Sequence, residues 1–406
     1  MGDLLHWLPI LVTATTAVLA LCGLAYYIAA LWAARGYARR VGKTRAAQDV
    51  AVASGTALAP AVSVLKPLRG MDAGDYEAFI SHARQKYSGE YELIFGAAPG
   101  DVAARDAVLR LQAEFPECAI RFVECPELLG PNGKVSTLVQ MLPSARYGYI
   151  LINDSDIFAG PEYLARVMAC FSDDQTGMVT ALYSGHCVAD AKGKIPVWAK
   201  IEALTVSTEF VPGTLLAMQI DGGVKFALGG TLAIRRDVLR KIGGLAPLVN
   251  YLADDYQMGV RTIAAGYRVA MAPETVATAV PPYSLREFAA HQLRWLRTVR
   301  DERPWGYAGL PTTFGLVWSM LAVVTSAGAM WSWALLSLCL LARVALALSV
   351  GIGILGDRQV LRDLWLVPLR DVMGAALWFG SFSSDDVEWR GLKFRLKKGK
   401  LEQVEP

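Results

Sequence analysis

Residues 4–34 carry almost no formal charge, and that constrains the chain more than any other feature. The run lasts about thirty residues, whereas a helix needs about twenty apolar residues to cross a bilayer. Trp7 and Trp32 bracket it where interfacial anchors sit. Arg35, Arg39, Arg40, Lys43 and Arg45 follow it, so the positive-inside rule predicts an amino terminus outside and a cytoplasmic domain next. A cleaved signal peptide is the competing reading, but its apolar core is usually about 7–15 residues with the basic segment in front. Residues 1–45 therefore read as an uncleaved transmembrane anchor with a basic juxtamembrane segment. Residues 46–60, rich in Ala, Ser and Gly, read as a linker.

The chain of 406 residues is 54% hydrophobic, too apolar for a purely soluble protein, so more membrane segments are expected. Its net charge of +3, from 40 basic and 37 acidic residues, supplies no global field for nucleic acid, and no such partner is expected. The six cysteines include no C-x-x-C pair, which fits reduced thiols in a cytoplasm-facing part.

From residue 61 the pattern turns to βα alternation. Strands are predicted at 61–65, 91–97 and 119–123 and helices at 75–86 and 103–115, the arrangement of a nucleotide-binding α/β half. Lys66 and Pro67 leave the first strand into a loop, and Asp101 follows the second after Pro99-Gly100. Asn132-Gly133-Lys134 precedes a helix beginning near Val135, where backbone donors and an ammonium meet an anion; a plain surface lysine is the other reading. Residues 149–152 form an apolar run without alternation, hence a buried parallel strand, and lead straight into Asp154-Ser155-Asp156. Two carboxylates at the carboxyl end of such a strand lie in the ligand crevice of an open α/β sheet and suit Mg²⁺ or Mn²⁺ holding a diphosphate. A solvated, capping Asp pair is the alternative.

A helix at 162–171 and a strand at 178–182 come next. Residues 199–226 are apolar and irregular, readable as a lipid-acceptor face or as ordinary core. Gly229-Gly230 opens a strand at 232–234, and paired glycines let backbone approach a ligand closely. Asp254 and Asp255 open a helix over 256–264, either as a cap or as the general base that a hydroxyl acceptor requires. In residues 285–300 apolar positions recur at helical spacing while Arg294, Arg297 and Arg300 fall on another face. That predicts an interfacial helix with snorkelling arginines, or one that aims Arg294 at a diphosphate and Trp295 at an acceptor. Two spans are predicted at 313–330 and 331–356, the second with an intramembrane Arg343 that needs a partner. Residues 365–382, broken by Pro368, Arg370 and Asp371, read as interfacial or re-entrant. The basic tail (Arg390, Lys393, Arg395, Lys397, Lys398, Lys400) should stay cytoplasmic. The expected divisions are thus 1–45, 46–60, a cytoplasmic domain at 61–284, an interfacial helix at 285–312, two spans at 313–356 and the remainder at 357–406.

The order and spacing of Lys66-Pro67-Leu68-Arg69-Gly70, Asp101, Asn132-Gly133-Lys134-Val135, Asp154-Ser155-Asp156, Gly243-Gly244-Leu245, Tyr251 to Tyr256 and Arg294-Trp295 resemble the membrane-bound glycosyltransferases of GT-A fold. The likeness is greatest to the ceramide glucosyltransferase family and its bacterial relatives, including the hopanoid biosynthesis-associated glycosyltransferases. Val387 to Gly391 gives a weaker echo. The resemblance implies an α/β GT-A (nucleotide-diphospho-sugar transferase) domain with a mixed, mainly parallel sheet, plus transmembrane and interfacial helices. It implies that Asp101 lies near the uridine, that Asp154 and Asp156 hold Mg²⁺ or Mn²⁺ and the diphosphate, and that Asp255, beside Asp254, is the base. Lys66, Pro67, Lys134, Gly229 and Gly230 would line the donor site. Arg294 and Trp295 match the end of a (Gln/Arg)-x-x-Arg-Trp motif whose first position here is His291, with Gln292 one place late. The expectation is an inverting transfer of glucose or N-acetylglucosamine from a UDP-sugar to a hydroxyl of a membrane lipid such as ceramide or a hopanoid. It would take place at the inner cell membrane by a multi-pass enzyme with a cytoplasmic catalytic domain. A Mg-dependent phosphohydrolase with an aspartyl nucleophile, or a non-catalytic membrane scaffold, are the readings from other classes.

Overall fold

Apolar strands separated by helices assemble in the expected order in the computed structural model, which describes residues 2–389 and 392–403. Arg390 and Gly391, the end of the weaker motif echo, lie outside the described residues. The chain divides into a sheet unit (residues 39–195, 220–282 and 399–406) and a helical unit (1–38, 196–219 and 283–398).

In the sheet unit the strands are β1 (Val62–Pro67), β2 (Tyr91–Ala97), β3 (Ala119–Glu124), β4 (Tyr149–Ile152), β5 (Ile157–Phe158), β6 (Thr176–Thr180), β7 (Tyr183–Cys187), β8 (Leu232–Arg235), β9 (Arg268–Met271) and β10 (Val276–Val280). Seven of them form one sheet in the order β3-β2-β1-β4-β8-β6-β9, and β5-β10-β7 form a second. β8 runs antiparallel to β4 and β6, while the other pairs of the large sheet are parallel. The sheet is mixed and mainly parallel, as the resemblance implied. Ile150, Leu151 and Ile152 are fully buried, which is what a strand covered on both faces requires.

The reading of 46–60 as a linker is corrected. The helix Gly2–Ala53 continues through Ala-Ala-Gln-Asp-Val-Ala-Val-Ala, because Ala is the strongest helix former, and it stops only before Gly55 with φ 70°. The sheet unit begins at residue 39 and omits 196–219, which belong to the helical unit.

In the helical unit the irregular region at 199–226 is helical over most of its length: Val197–Thr205, a π-helical turn Val206–Phe210, then Val211–Ile220. Pro212 explains the wide turn, since its ring has no N–H and crowds the carbonyl four residues back, that of Thr208. Arg343 Nη1 donates to that freed carbonyl at 2.8 Å. Arg343 also meets Asp371 through Nε and Nη2, both at 2.8 Å, so the arginine has the partner that the sequence called for. Arg370 lies 2.8 Å from Asp371 and also pairs with Glu209.

Among the described residues two helices, Trp7–Ala53 and Met330–Gly351, are long and apolar enough to cross a membrane. The expected straight span at 313–330 is corrected: Gly315–Thr325 has 11 residues, about 16 Å of helix against about 30 Å of hydrocarbon. It ends at Ala327 and Gly328, both with positive φ, and makes a third crossing only if it is joined to Pro304–Thr313 through a 50° bend. Small residues bring it against the first helix. A β-carbon on Gly23 would collide with the backbone of Gly315, and Thr13 Oγ1 donates to Thr325 O at 2.9 Å. The helix Val367–Gly380 has 14 residues, too few for a straight crossing. β11 (Asp386–Trp389) and β12 (Leu392–Lys397) pair antiparallel in this unit, and β13 (Lys400–Gln403) belongs to the sheet unit.

Candidate active site

Strand ends supply the charges. Lys66, at the end of β1, is buried, and its ammonium donates to Asp154 O at 2.9 Å. Burial lowers its pKa to about 8, against the pull of Asp156, Asp154 and Asp75. β4 runs into Asn153, whose buried amide donates to Tyr163 Oη at 2.9 Å and Gly230 O at 2.7 Å, locking the strand end to the glycine pair. Asp156 Oδ2 accepts from Thr278 Oγ1 at 2.6 Å. Burial and the neighbouring Asp154 raise the Asp156 pKa.

Lys134 starts the helix Gly133–Met141, capped by Asn132, whose Oδ1 accepts from Val135 N at 3.1 Å. Its ammonium lies 2.7 Å from Asp154 Oδ1 and 3.4 Å from Asp254 Oδ2 with the side chain 13% exposed, which disposes of the surface-lysine reading. Burial opposes its charge, but Asp154, Asp254 and Asp255 together hold its pKa above the ordinary lysine value.

Asp254 and Asp255 open the helix Asp254–Ala264. Burial raises both carboxyls; Asp255 reaches about 7, with Asp254 as its next largest cause. Asp255 Oδ1 accepts from Tyr256 N at 2.7 Å. A β-carbon on Gly229 would stand 3.1 Å from Asp255 Oδ2 and 3.9 Å from Asp154 Oδ2, so the carboxylates of two separate loops converge on one glycine. Asp254 is thus ion-paired with Lys134, while Asp255 beside it is poised near neutrality.

Asp101, expected near the uridine, is held by two backbone donors. Its Oδ1 accepts from Ala104 N at 3.2 Å as a helix cap, and its Oδ2 accepts from Gly70 N at 2.6 Å, tying down the loop after Lys66. Pro67 ends β1 in register with Gly96.

Among the described residues no group of three or more His, Cys, Asp or Glu is arranged to hold a metal ion. The donor chemistry at Asp154 and Asp156 still fits a hard divalent cation that arrives with its nucleotide. Mg²⁺ is usually held by one or two carboxylates plus substrate phosphates and water rather than by a complete protein cage. Repulsion from Asp154, which adds to burial in raising Asp156, is what such an ion would relieve.

Comparison with known proteins places the chain. The profile of glycosyl transferase family 21 matches residues 15–402. The chain belongs to glycosyl transferase family 21. Its relatives include ceramide glucosyltransferase 3 of Caenorhabditis elegans, 25% identical over 243 residues, which are 59% of this chain and 50% of the relative. Ceramide glucosyltransferase 1 of the same organism is 25% identical over 239 residues, 59% of this chain and 49% of the relative. The chain thus spans about half the length of the curated relatives it matches. Among solved structures it is similar to a mannosyltransferase from Pyrobaculum calidifontis in complex with GDP-Man and Mn²⁺, at 18% identity and a TM-score of 0.45, covering 90% of this chain and 97% of that one.

In this family 21 chain the Arg-Trp motif lies on the helix Leu285–Glu302 of the helical unit, opened by a Ser284–Glu287 capping box. His291 Nδ1 is 2.9 Å from Glu202 Oε1, and Gln292 Nε2 donates to Glu202 Oε2 at 2.8 Å. One carboxylate therefore holds both the residue at the motif's first position and the glutamine one place late. Trp295 lies with its ring 5.0 Å from that of His291 and 6.1 Å from that of Phe210. The snorkelling reading of the arginines is corrected for two of them. Arg297 donates to Asp386 O, and Arg300 donates to Ser381 O and Ser384 O and pairs with Asp385, so both staple the helix to residues 381–386.

Sequence reasoning missed Asp75, Asn153, Thr278 and Glu202. Asp75, 2% exposed, opens the helix after β1 and reads in sequence as an ordinary first-turn acid. Burial raises its pKa to about 6, with Asp156 adding to the effect, and its Oδ1 has no partner among the described residues. No local pattern marks Thr278, which comes from the second sheet.

Proposed function

We propose that this family 21 chain moves a hexose, glucose or N-acetylglucosamine, from a UDP-sugar to a hydroxyl of a membrane lipid such as ceramide or a hopanoid, with inversion at the anomeric carbon. The observation that carries the reading is the convergence of Asp154 and Asp255 on Gly229, with Lys134 bridging Asp154 to Asp254. The relatives named ceramide glucosyltransferase support the lipid acceptor.

In this mechanism Asp154 and Asp156 would hold Mg²⁺ or Mn²⁺, which when bound neutralises the diphosphate. Asp255 takes the proton of the acceptor hydroxyl. The freed oxygen forms its bond to the anomeric carbon as the bond from that carbon to the diphosphate oxygen breaks, and UDP leaves with the electron pair. The Lys134 ammonium stabilises negative charge growing on the leaving group. A group titrating at about 7 is matched to such a transfer at neutral pH, being about half ionised there and basic enough to accept the proton.

The chain is read as a multi-pass protein of the inner cell membrane with its sheet unit in the cytoplasm. β13 belongs to the sheet unit, so an even number of crossings is needed between residues 282 and 399; the bent pair and Met330–Gly351 supply two. The test is to incubate membranes containing the protein with a panel of UDP-sugars and to analyse lipids by mass spectrometry. A divalent-dependent hexosyl-lipid is expected. Phosphate release from a phosphomonoester with no sugar donor, or no UDP-sugar binding at all, would overturn the reading.

A further inference from the structure

β13 has no side chain in the reaction as drawn, yet its backbone lies along the loop that delivers the base. Leu401 N donates to Asn250 O at 2.7 Å, and Leu252 N donates to Gly399 O at 3.2 Å. Tyr251 and Lys400 form an antiparallel bridge, and the Lys400 ammonium stands 5.7 Å from the Tyr251 ring centre. The Leu401 side chain is 4% exposed, so the segment is packed as well as hydrogen-bonded.

A second grip acts on the same loop. Asn132 Nδ2 donates to Tyr251 O at 2.7 Å and Asn132 N donates to Val249 O at 2.8 Å. Asn132 is also the cap of the helix that carries Lys134. Residues 249–252 are therefore held by the Lys134 helix cap and by β13, and only Ala253 separates them from Asp254 and Asp255. With one residue of slack, a displacement of the loop passes to the base, and a misplacement of about 1 Å at a reacting group costs about 100-fold in rate.

We propose that β13 is a positioning strand of the active site: by pairing with residues 250–252 it fixes the start of the helix Asp254–Ala264 and so the Asp255 carboxyl. The proposal rests on Asp255 being the base. It is tested by hydrogen exchange and kinetics on the full chain, on a chain ending at Lys398, and on Leu401→Pro, which removes the donor to Asn250. In the full chain the amides of Leu252 and Leu401 should be protected, and in either variant exchange at Leu252 should rise at least about tenfold as that pairing opens. With UDP-glucose and a short-chain ceramide, kcat should fall about 100-fold while the donor KM stays within about twofold, a split that general destabilisation would not give. Freely exchanging amides at Leu252 and Leu401 in the full chain overturn the proposal, and so does undiminished kcat in a folded variant. If the full chain forms no glycolipid with any donor, the functional reading fails instead, and the exchange measurement still decides whether β13 holds the loop.

Discussion

Two buried charge clusters in this protein are built on opposite terms. In the helical unit Arg343 and Arg370 face Asp371 and Glu209, two cations against two anions. In the sheet unit five carboxyl groups (Asp75, Asp154, Asp156, Asp254 and Asp255) interact with two ammonium groups, Lys66 and Lys134. A balanced cluster is complete in itself and serves to hold helices and the π-helical turn together. An unbalanced one leaves carboxyls that take up protons more readily: burial first, and a neighbouring carboxylate (Asp254 or Asp156) after it, push Asp255 to about 7 and Asp75 to about 6. The carboxyl ends of parallel strands are where open α/β sheets bind ligands, and under the proposed function this is where the cation and the diphosphate would bind.

The largest expected effect lies in the unbalanced cluster. Asp255→Asn should cut transfer by about 1,000-fold or more while changing the donor KM little, the signature of a lost general base. Undiminished turnover by that variant would remove Asp255 from the role. In the balanced cluster the loss is one of stability: Arg343→Met leaves Asp371 short of a partner and should cost about 3–5 kcal/mol in denaturation of the detergent-solubilised protein. The double variant Arg343→Met with Asp371→Leu should recover most of that loss, since Arg370 keeps Glu209. If the double variant is no better than the single, the two clusters do not differ as described.

A smaller effect sharpens the contrast, because neutralising a surplus anion should stabilise. The folded pKa of Asp255, about 7, lies above its ordinary 3.8, so ionisation opposes folding; the penalty is fully present above about pH 7 and vanishes as pH falls through 3.8. Asp255→Asn should therefore melt higher than the wild type at pH 8, with the difference shrinking steadily towards pH 4. A difference independent of pH would mean that the carboxyl is ionised throughout.

Legibility followed distance along the chain. The strand at residues 149–152, the Asp154–Asp156 pair and the helix bearing Asp254 and Asp255 were readable because each is one local pattern, a run of apolar or helical residues meeting charge. Lys134 as an anion-facing group was half readable, since its cap was local but its burial was not. What escaped depends on remote partners. Glu202 gains its role from two residues about ninety positions away, and Asp156 is held by Thr278, 122 residues on. The turn at Val206–Phe210 is held by Arg343, 135 residues beyond Thr208. The linker reading failed for a different reason: Ala serves flexible segments and helices alike, and only Gly55 marks the stop.

Manganese binding to the full chain in the presence of UDP, followed by electron paramagnetic resonance, tests most directly whether the surplus carboxylates form a cation site. One Mn²⁺ per chain is predicted, with the bound signal lost in the Asp154→Ala, Asp156→Ala double variant. Undiminished binding in that variant, or no binding by the wild type at millimolar Mn²⁺, would contradict it.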